Sequence, residues 1–118
     1  HVIHYGPWGA KDELLPFPLK EFKDHMFLVY TGKPHHSGMN NWQVIKGALD
    51  KDPQVLYRLG KLREVAFAVE SACREGQWGQ LPDLFNQEYE HRVALSPAFT
   101  CPQIESFTEG KIISKLGC

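Results

Sequence analysis

The sequence predicts a helix-rich α+β domain of two layers, in which a small sheet supports several helices. Three observations lead to this class. A long amphipathic pattern covers Pro53 to Glu75, a continuously apolar segment covers Met26 to Thr31, and strand-like segments lie near both ends of the chain. The 118 residues fit one domain, which we take as 1–118. We therefore expect strands from the two ends to share a sheet, with the helices packed on it.

The first third of the chain contains the candidate strands. His1–Tyr5 mixes β-branched and aromatic residues, which predicts a strand that the turn formers of Gly6–Gly9 would end. Two prolines within Leu14–Leu19 exclude a central strand there and predict an extended edge segment. Met26–Thr31 is apolar throughout, so we expect a strand that is buried on both faces.

The middle of the chain predicts a loop and two helices. Gly32–Asn41 is rich in turn formers, and a helix is expected from about Asn40 to Leu49. Asp52 then suits the N-cap of a second helix over Pro53–Glu75, which Gly76 would end. Apolar residues at alternating spacings of four and three predict one buried stripe along this helix, made of Val55, Leu59, Leu62, Ala66, Val69 and Cys73 and widened by Leu56, Val65 and Ala72.

The last third of the chain predicts two more helices and a final strand. Apolar residues on one side of Leu81–Leu95 indicate an amphipathic helix. Ser96 or Thr100 would open a last helix that closes at Gly110. Lys111–Leu116 has the composition of a strand, and it would join the strand at the beginning of the chain.

Composition excludes several functional classes. The formal net charge is −1 and the basic residues are dispersed, so a nucleic-acid surface is not expected. No apolar stretch reaches the ~20 residues that span a membrane, and no signal peptide is present. Cys73, Cys101 and Cys118 are odd in number and far apart, which favours reduced thiols and a cytoplasmic location. Because the chain begins with His1 instead of Met, we expect an excised fragment or a processed product.

A set of short motifs follows in a distinctive order between Phe27 and Gln103. An apolar segment leads into a Thr-Gly turn, which is followed by a polar loop with a serine and by a helix that starts with Asn-Asn-Trp. An Asp-Pro break then precedes a long helix, and a later helix carries Asn and His. In this chain they are Leu28–Tyr30, Thr31-Gly32, Ser37, Asn40–Trp42, Asp50–Pro53, Asn86 and His91. This combination resembles the carboxy-terminal domain of GHMP kinases, nearest to the bacterial sugar and heptose-phosphate kinases related to galactokinase.

The resemblance implies both a fold and an activity. The fold would be the ferredoxin-like GHMP kinase carboxy-terminal type, and the intact protein would use ATP and Mg²⁺ to phosphorylate a sugar or a sugar phosphate. The family continues from a stretch like Lys115–Cys118 into a Gly-rich loop, and its phosphate-binding loop and acidic base lie in an amino-terminal domain. None of these motifs occurs in the chain. We therefore expect a domain truncated before the Gly-rich loop, with no catalytic residue, no cofactor of its own and no activity alone.

The loop before the second predicted helix holds the candidate substrate-binding residues. In a kinase of this type the loop would face the cleft between domains, where the acceptor binds together with the amino-terminal domain. The candidates are Lys33, His35, His36, Ser37, Asn40 and Asn41. Two other interpretations stay open, because the loop could be a solvated turn and the serine or asparagines could cap the helix. Adjacent histidines point apart in an extended chain and no HxxxH spacing occurs, so no metal site is expected.

A hypothesis of another class is a non-catalytic helical module that binds a partner or forms a homodimer. The apolar stripe from Val55 to Cys73 would supply the contact surface. Trp8, Trp42 and Trp78 are interpreted as packing residues under either hypothesis, with Trp42 anchoring its helix on the sheet.

Overall fold

The computed structural model describes residues 1–15, 18–27, 30, 38–100 and 102 of the chain. Within these residues the chain is helix-rich with a small antiparallel sheet, which agrees with the α+β class at that level. The elements are β1 (Val2–Gly6), β2 (Gly9–Glu13), α1 (Leu19–Asp24), α2 (Gly38–Leu49), α3 (Pro53–Glu75) and α4 (Leu81–Leu95), with 3₁₀ turns at Trp78–Gln80 and Pro97–Phe99.

The two strands form a hairpin that is only partly predictable. Strand β1 lies close to the predicted segment, but β2 follows it directly, with Gly6 paired to Gly9 across a two-residue turn. Gly9 has a φ of +103°, a conformation that favours glycine. Gly6 lies under the Trp8 ring, where an added Cβ would come 2.5 Å from ring atom Cζ2. The sequence did not indicate β2, because Gly9–Glu13 carries no β-branched or aromatic residue.

Two expectations for the following segment are wrong. Leu19 begins α1, with Pro18 as its N-cap residue, so the predicted extended segment does not continue through Leu19. Met26, Phe27 and Tyr30 have no regular secondary structure and are 41%, 68% and 83% exposed, so they do not belong to a strand buried on both faces. The other positions of that predicted strand lie outside the described residues.

Helices α2 and α3 join through a tight turn that their sequence encodes. Helix α2 begins at Gly38, two residues before the expected start, and ends at Leu49 as predicted. Lys51 adopts a positive φ of 58°, and the Asp52 carboxylate then accepts hydrogen bonds from the Gln54 and Val55 amides at 2.8 and 3.3 Å. These bonds satisfy two amides of the first turn of α3, as expected for an N-cap.

The core lies between α3 and α4, whose bounds match the predicted ones. Gly76 ends α3 in the left-handed conformation with a φ of 67°, which lets the chain reverse toward α4. The buried apolar side chains of the described residues are Leu15, Val65, Ala72 and Leu81. The buried line of α3 therefore runs through Val65 and Ala72, whereas Ala66, which the predicted stripe placed in the core, is exposed.

Other expectations are settled only in part. The described sheet contains β1 and β2 alone, and the predicted strand at 111–116 lies outside the described residues. The Ser96 side chain accepts a hydrogen bond from the Ala98 amide at 3.3 Å and opens a single 3₁₀ turn.

Two of the three tryptophans differ from their predicted packing roles. Trp42 is 61% exposed, so its predicted anchoring role is wrong, and Trp8 is 80% exposed. Trp78 does pack, with its ring centroid 6.2 Å from that of Phe22.

Two helical glycines provide a matched test of the α2–α3 packing. A Cβ at Gly47 would come 2.9 Å from Val55 Cγ2, whereas a Cβ at Gly60 meets nothing within 4 Å. Alanine gains up to about 1 kcal/mol over glycine inside a helix, but overpacking costs about 1–3 kcal/mol. We expect Gly60→Ala to raise the free energy of unfolding and Gly47→Ala to lower it or leave it unchanged. Urea denaturation of both variants measures the difference, and equal gains would contradict this packing.

Candidate functional site

The predicted site residues are only partly within the described chain. Lys33, His35, His36 and Ser37 lie outside the described residues. The backbone of Asn40 belongs to the first turn of α2, and Asn41 follows it with an exposed side chain. Asn41 is thus the predicted residue whose surroundings can be described.

Asn41 lines an open groove between α2, α3 and α4. The groove has a volume of about 520 Å³, which is within the range of small-molecule sites. Apolar side chains form most of its surface, namely Leu62, Val65, Ala66, Val69, Phe85, Leu95 and Phe99. Three polar residues join them: Asn41, Glu88 and Arg92. A mainly apolar lining with a few polar groups is typical of sites that bind small organic ligands.

One of these polar groups has an unused acceptor atom. Arg92 Nε donates to Glu88 Oε1 at 2.7 Å, and the pair lies one helical turn apart on α4. The Glu88 side chain is 16% exposed, and its second oxygen, Oε2, is buried without a hydrogen-bond partner among the described residues. A buried acceptor without a donor costs free energy. Because Oε2 is buried, a ligand hydroxyl in the groove reaches it only after the Glu88 side chain moves.

A second polar cluster lies on another part of the α3–α4 pair. Arg58 on α3 and His91 on α4 approach with Nη1 and Nδ1 3.0 Å apart. Next to them, Lys61 Nζ donates to Glu64 Oε2 at 2.7 Å, and this bond raises the pKa of Lys61 and lowers the pKa of Glu64. The sequence does not indicate a site at these residues, because Arg58 and His91 are far apart along the chain.

A third cluster attaches the hairpin to α3. Arg74 donates to Glu70 Oε1 on its own helix at 2.6 Å and to Glu13 Oε1 on β2 at 2.8 Å. His4 Nε2 lies 3.6 Å from Glu70 Oε1 and 3.8 Å from Glu13 Oε2. The cluster bridges the sheet and the helix by ion pairs at the surface, so it positions the hairpin instead of forming a buried reaction site.

The Arg74 bridge makes a pH-dependent prediction. Its hydrogen bond to Glu13 lowers the pKa of that carboxyl from the ordinary 4.5. The stability that this hydrogen bond adds to the folded state is therefore present above pH 4.5. It is lost as the pH falls through the lower pKa that Glu13 has in the folded state. We expect Arg74→Gln to raise the pKa of Glu13 toward 4.5, measured by NMR titration of its carboxyl carbon. Lys46→Gln is the control, and an unchanged Glu13 pKa in Arg74→Gln would contradict the bridge.

The remaining candidate features carry less chemistry. Cys73 is half-buried, which raises the pKa of its thiol and makes it a packing residue more than a nucleophile. Among the described residues, no three His, Cys, Asp or Glu side chains come together as metal ligands would. In that same part of the chain, no helix combines the length and apolar composition needed to cross a bilayer.

Comparison with known proteins does not identify a family or a related structure for the chain. The chain matches no protein-family model, no curated protein and no solved structure.

Proposed function

We propose that this chain is the carboxy-terminal domain of a GHMP-type kinase that uses ATP and Mg²⁺ to phosphorylate a sugar or a sugar phosphate. The observation that carries the proposal is the order of motifs from Phe27 to Gln103, which resembles that family over most of the chain. The domain contributes to binding of the acceptor, and the phosphate-binding loop belongs to a part of the family pattern that these 118 residues do not contain.

The positions of two motifs support the proposal. The Asn-Asn-Trp motif of Asn40–Trp42 lies in the first turns of α2, where the resemblance implies a helix start. The Asp-Pro break is the capped start of α3, with Asp52 as N-cap and Pro53 as the first helical residue. Both motifs therefore occur at the helix boundaries that the family pattern requires of them.

The groove beside α2 supports a sugar or a sugar phosphate as the acceptor. Asn41 provides an amide that both donates and accepts hydrogen bonds, and the paired side chains of Glu88 and Arg92 add charged groups to the lining. Sugar hydroxyls donate and accept hydrogen bonds, and the apolar faces of a sugar ring can lie against aliphatic and aromatic side chains. The groove of about 520 Å³ is large enough for one sugar or sugar phosphate.

A phosphoryl-transfer assay tests the proposal. The protein encoded by the whole reading frame that contains these residues is mixed with ATP, Mg²⁺ and a panel of sugars and sugar phosphates, and ADP release and ³¹P spectra are followed. We expect Mg²⁺-dependent transfer to at least one acceptor, and no transfer by residues 1–118 alone. Absence of transfer to every acceptor by the whole, folded product would overturn the proposal.

A non-catalytic binding module is the second candidate, and an exposed apolar face favours it. Trp42, Ile45 and Leu49 recur along α2 at spacings of three and four residues and are 61%, 50% and 72% exposed. Leu56 and Phe67 on α3 add exposed apolar surface. Such a face is typical of a surface that contacts another domain or chain.

Sedimentation velocity tests this second candidate. A module that dimerises through the α2 face gives a concentration-dependent dimer that Trp42→Glu dissociates, and Lys20→Glu on α1 is the control. A monomer at all concentrations would exclude dimerisation through this face. Because a kinase domain would also expose the face that meets its partner domain, dimerisation alone does not separate the two candidates, whereas the transfer assay does.

A further inference from the structure

We infer that the α3–α4 pair carries a binding site for a phosphate-type oxyanion, built from Lys61, Gln87 and His91 and supported by Arg58. The site is separate from the groove beside Asn41, and the inference does not depend on the kinase proposal. It rests on a cavity, on the donor groups among its lining residues, and on the Glu64 carboxylate, which lines the cavity and pairs with one of those donors.

The cavity lies between the two helices and has a volume of about 200 Å³. Its apolar lining is Val65, Ala68 and Leu84, and its polar lining is Lys61, Glu64, Gln87 and His91. Two of the polar residues come from each helix, so the cavity exists only because α3 and α4 pack together.

Arg58 determines which hydrogen atom His91 carries. A guanidinium has only donors, so the Arg58–His91 contact of 3.0 Å requires His91 Nδ1 to accept. With Nδ1 accepting from Arg58, the donor that the His91 ring can offer is its Nε2–H. His91 also lines the cavity, so this donor is available to a ligand there.

The cationic groups gather around one aromatic ring. The Arg58 guanidinium carbon lies 5.4 Å and Lys61 Nζ 5.9 Å from the centroid of the Tyr57 ring. The His91 ring meets the same Tyr57 ring edge-on, at 6.5 Å between centroids. Two positively charged side chains and one imidazole therefore surround the same Tyr57 ring, and two of these three groups, Lys61 and His91, also line the cavity. Oxyanions are bound by such convergent charged and neutral donors.

The Glu64 carboxylate competes with the anion for the Lys61 ammonium group. Glu64 accepts from Lys61 Nζ at 2.7 Å, and its carboxylate lines the same cavity. A bound phosphate takes over the Lys61 donor, so the Lys61–Glu64 ion pair must open. Removing the Glu64 charge should strengthen anion binding, whereas a purely structural ion pair predicts no gain.

Chemical-shift titration tests the site with inorganic phosphate at pH 7.5 and constant ionic strength, using the Gln87 side-chain amide as the probe. We expect saturable shifts in the wild type, binding about fivefold tighter in Glu64→Gln, and at least tenfold weaker binding in Arg58→Met and His91→Phe. His91→Gln should restore part of the affinity, since the glutamine amide nitrogen can replace Nε2. A second titration with glycerol 3-phosphate distinguishes a phosphomonoester, which would bind more tightly than free phosphate.

The Lys46–Asp50 pair on α2 is a matched control. It has the same ion-pair chemistry but lines neither cavity, so Asp50→Asn releases a lysine without creating an anion site. Far-ultraviolet circular dichroism confirms the fold of each variant, and Glu64→Gln, at an exposed position, keeps the test valid if His91→Phe does not fold. Equal affinities in Glu64→Gln and Asp50→Asn, or shifts that chloride reproduces, would overturn the inference.

Discussion

Leu81→Ala is expected to lower the free energy of unfolding by about 2–4 kcal/mol, because it removes most of a buried side chain at the start of α4. Leu81 is 6% exposed and is one of only four buried apolar residues in the described chain. Domains of this size have a total stability of about 5–15 kcal/mol, so the loss is a large fraction of it. Urea denaturation followed by circular dichroism measures the change.

Leu49→Ala is the matched control for this prediction. Leu49 ends α2 and is 72% exposed, so its truncation should change the free energy of unfolding by less than about 0.5 kcal/mol. Similar losses in the two leucine variants would show that the core does not lie between α3 and α4.

Ala72→Asp should prevent stable folding or lower the free energy of unfolding by more than about 3 kcal/mol, because it buries a carboxylate with no partner. Ala72 is 2% exposed, the lowest exposure among the buried residues of the described chain. Thermal unfolding and the dispersion of an NMR amide spectrum report the loss of the packed helix pair.

Ala66→Asp tests whether the structure or the predicted stripe gives the correct orientation of α3. The predicted stripe places Ala66 in the core, whereas in the structure its side chain is exposed at the groove. We expect a loss below about 1 kcal/mol, mainly from helix propensity. A larger loss in Ala66→Asp than in Ala72→Asp would place the centre of the predicted stripe in the core and contradict the observed orientation of α3.

The long helices were predictable because local signals mark both of their ends. Asp52 and Pro53 start α3, Gly76 ends it, and its apolar periodicity fills the interval. The centre of the buried line was not predictable: Val65 and Ala72 only widen the predicted stripe, yet they are its buried members, because the position of α4 decides which residues are covered. Periodicity identifies a helix and its general apolar side, but the neighbouring element selects the centre of the interface.

The short elements were not predictable for a different reason. Strand β2 is polar and forms because it pairs with β1, so tertiary pairing overrides its weak strand propensity. The apolar composition around Met26 suggested a buried strand, yet Met26 and Phe27 are exposed. Composition alone does not distinguish a buried segment from an apolar surface that another domain would cover.

The two candidate sites also differ in how far the sequence could predict them. Asn41 could be selected from its motif, and it lines a groove with Glu88. The Arg58–His91 contact joins residues 33 positions apart on two helices, so only the packing of α3 against α4 reveals it. A sequence pattern therefore proposed the acceptor site, while the oxyanion site required the structure.

The most direct test of the kinase proposal is the DNA sequence on both sides of the segment that encodes these residues. The proposal predicts one reading frame that encodes a phosphate-binding loop domain before His1 and a Gly-rich loop directly after Cys118. A start codon immediately before His1 together with a stop codon immediately after Cys118 would contradict it, and would leave the binding module as the function to pursue.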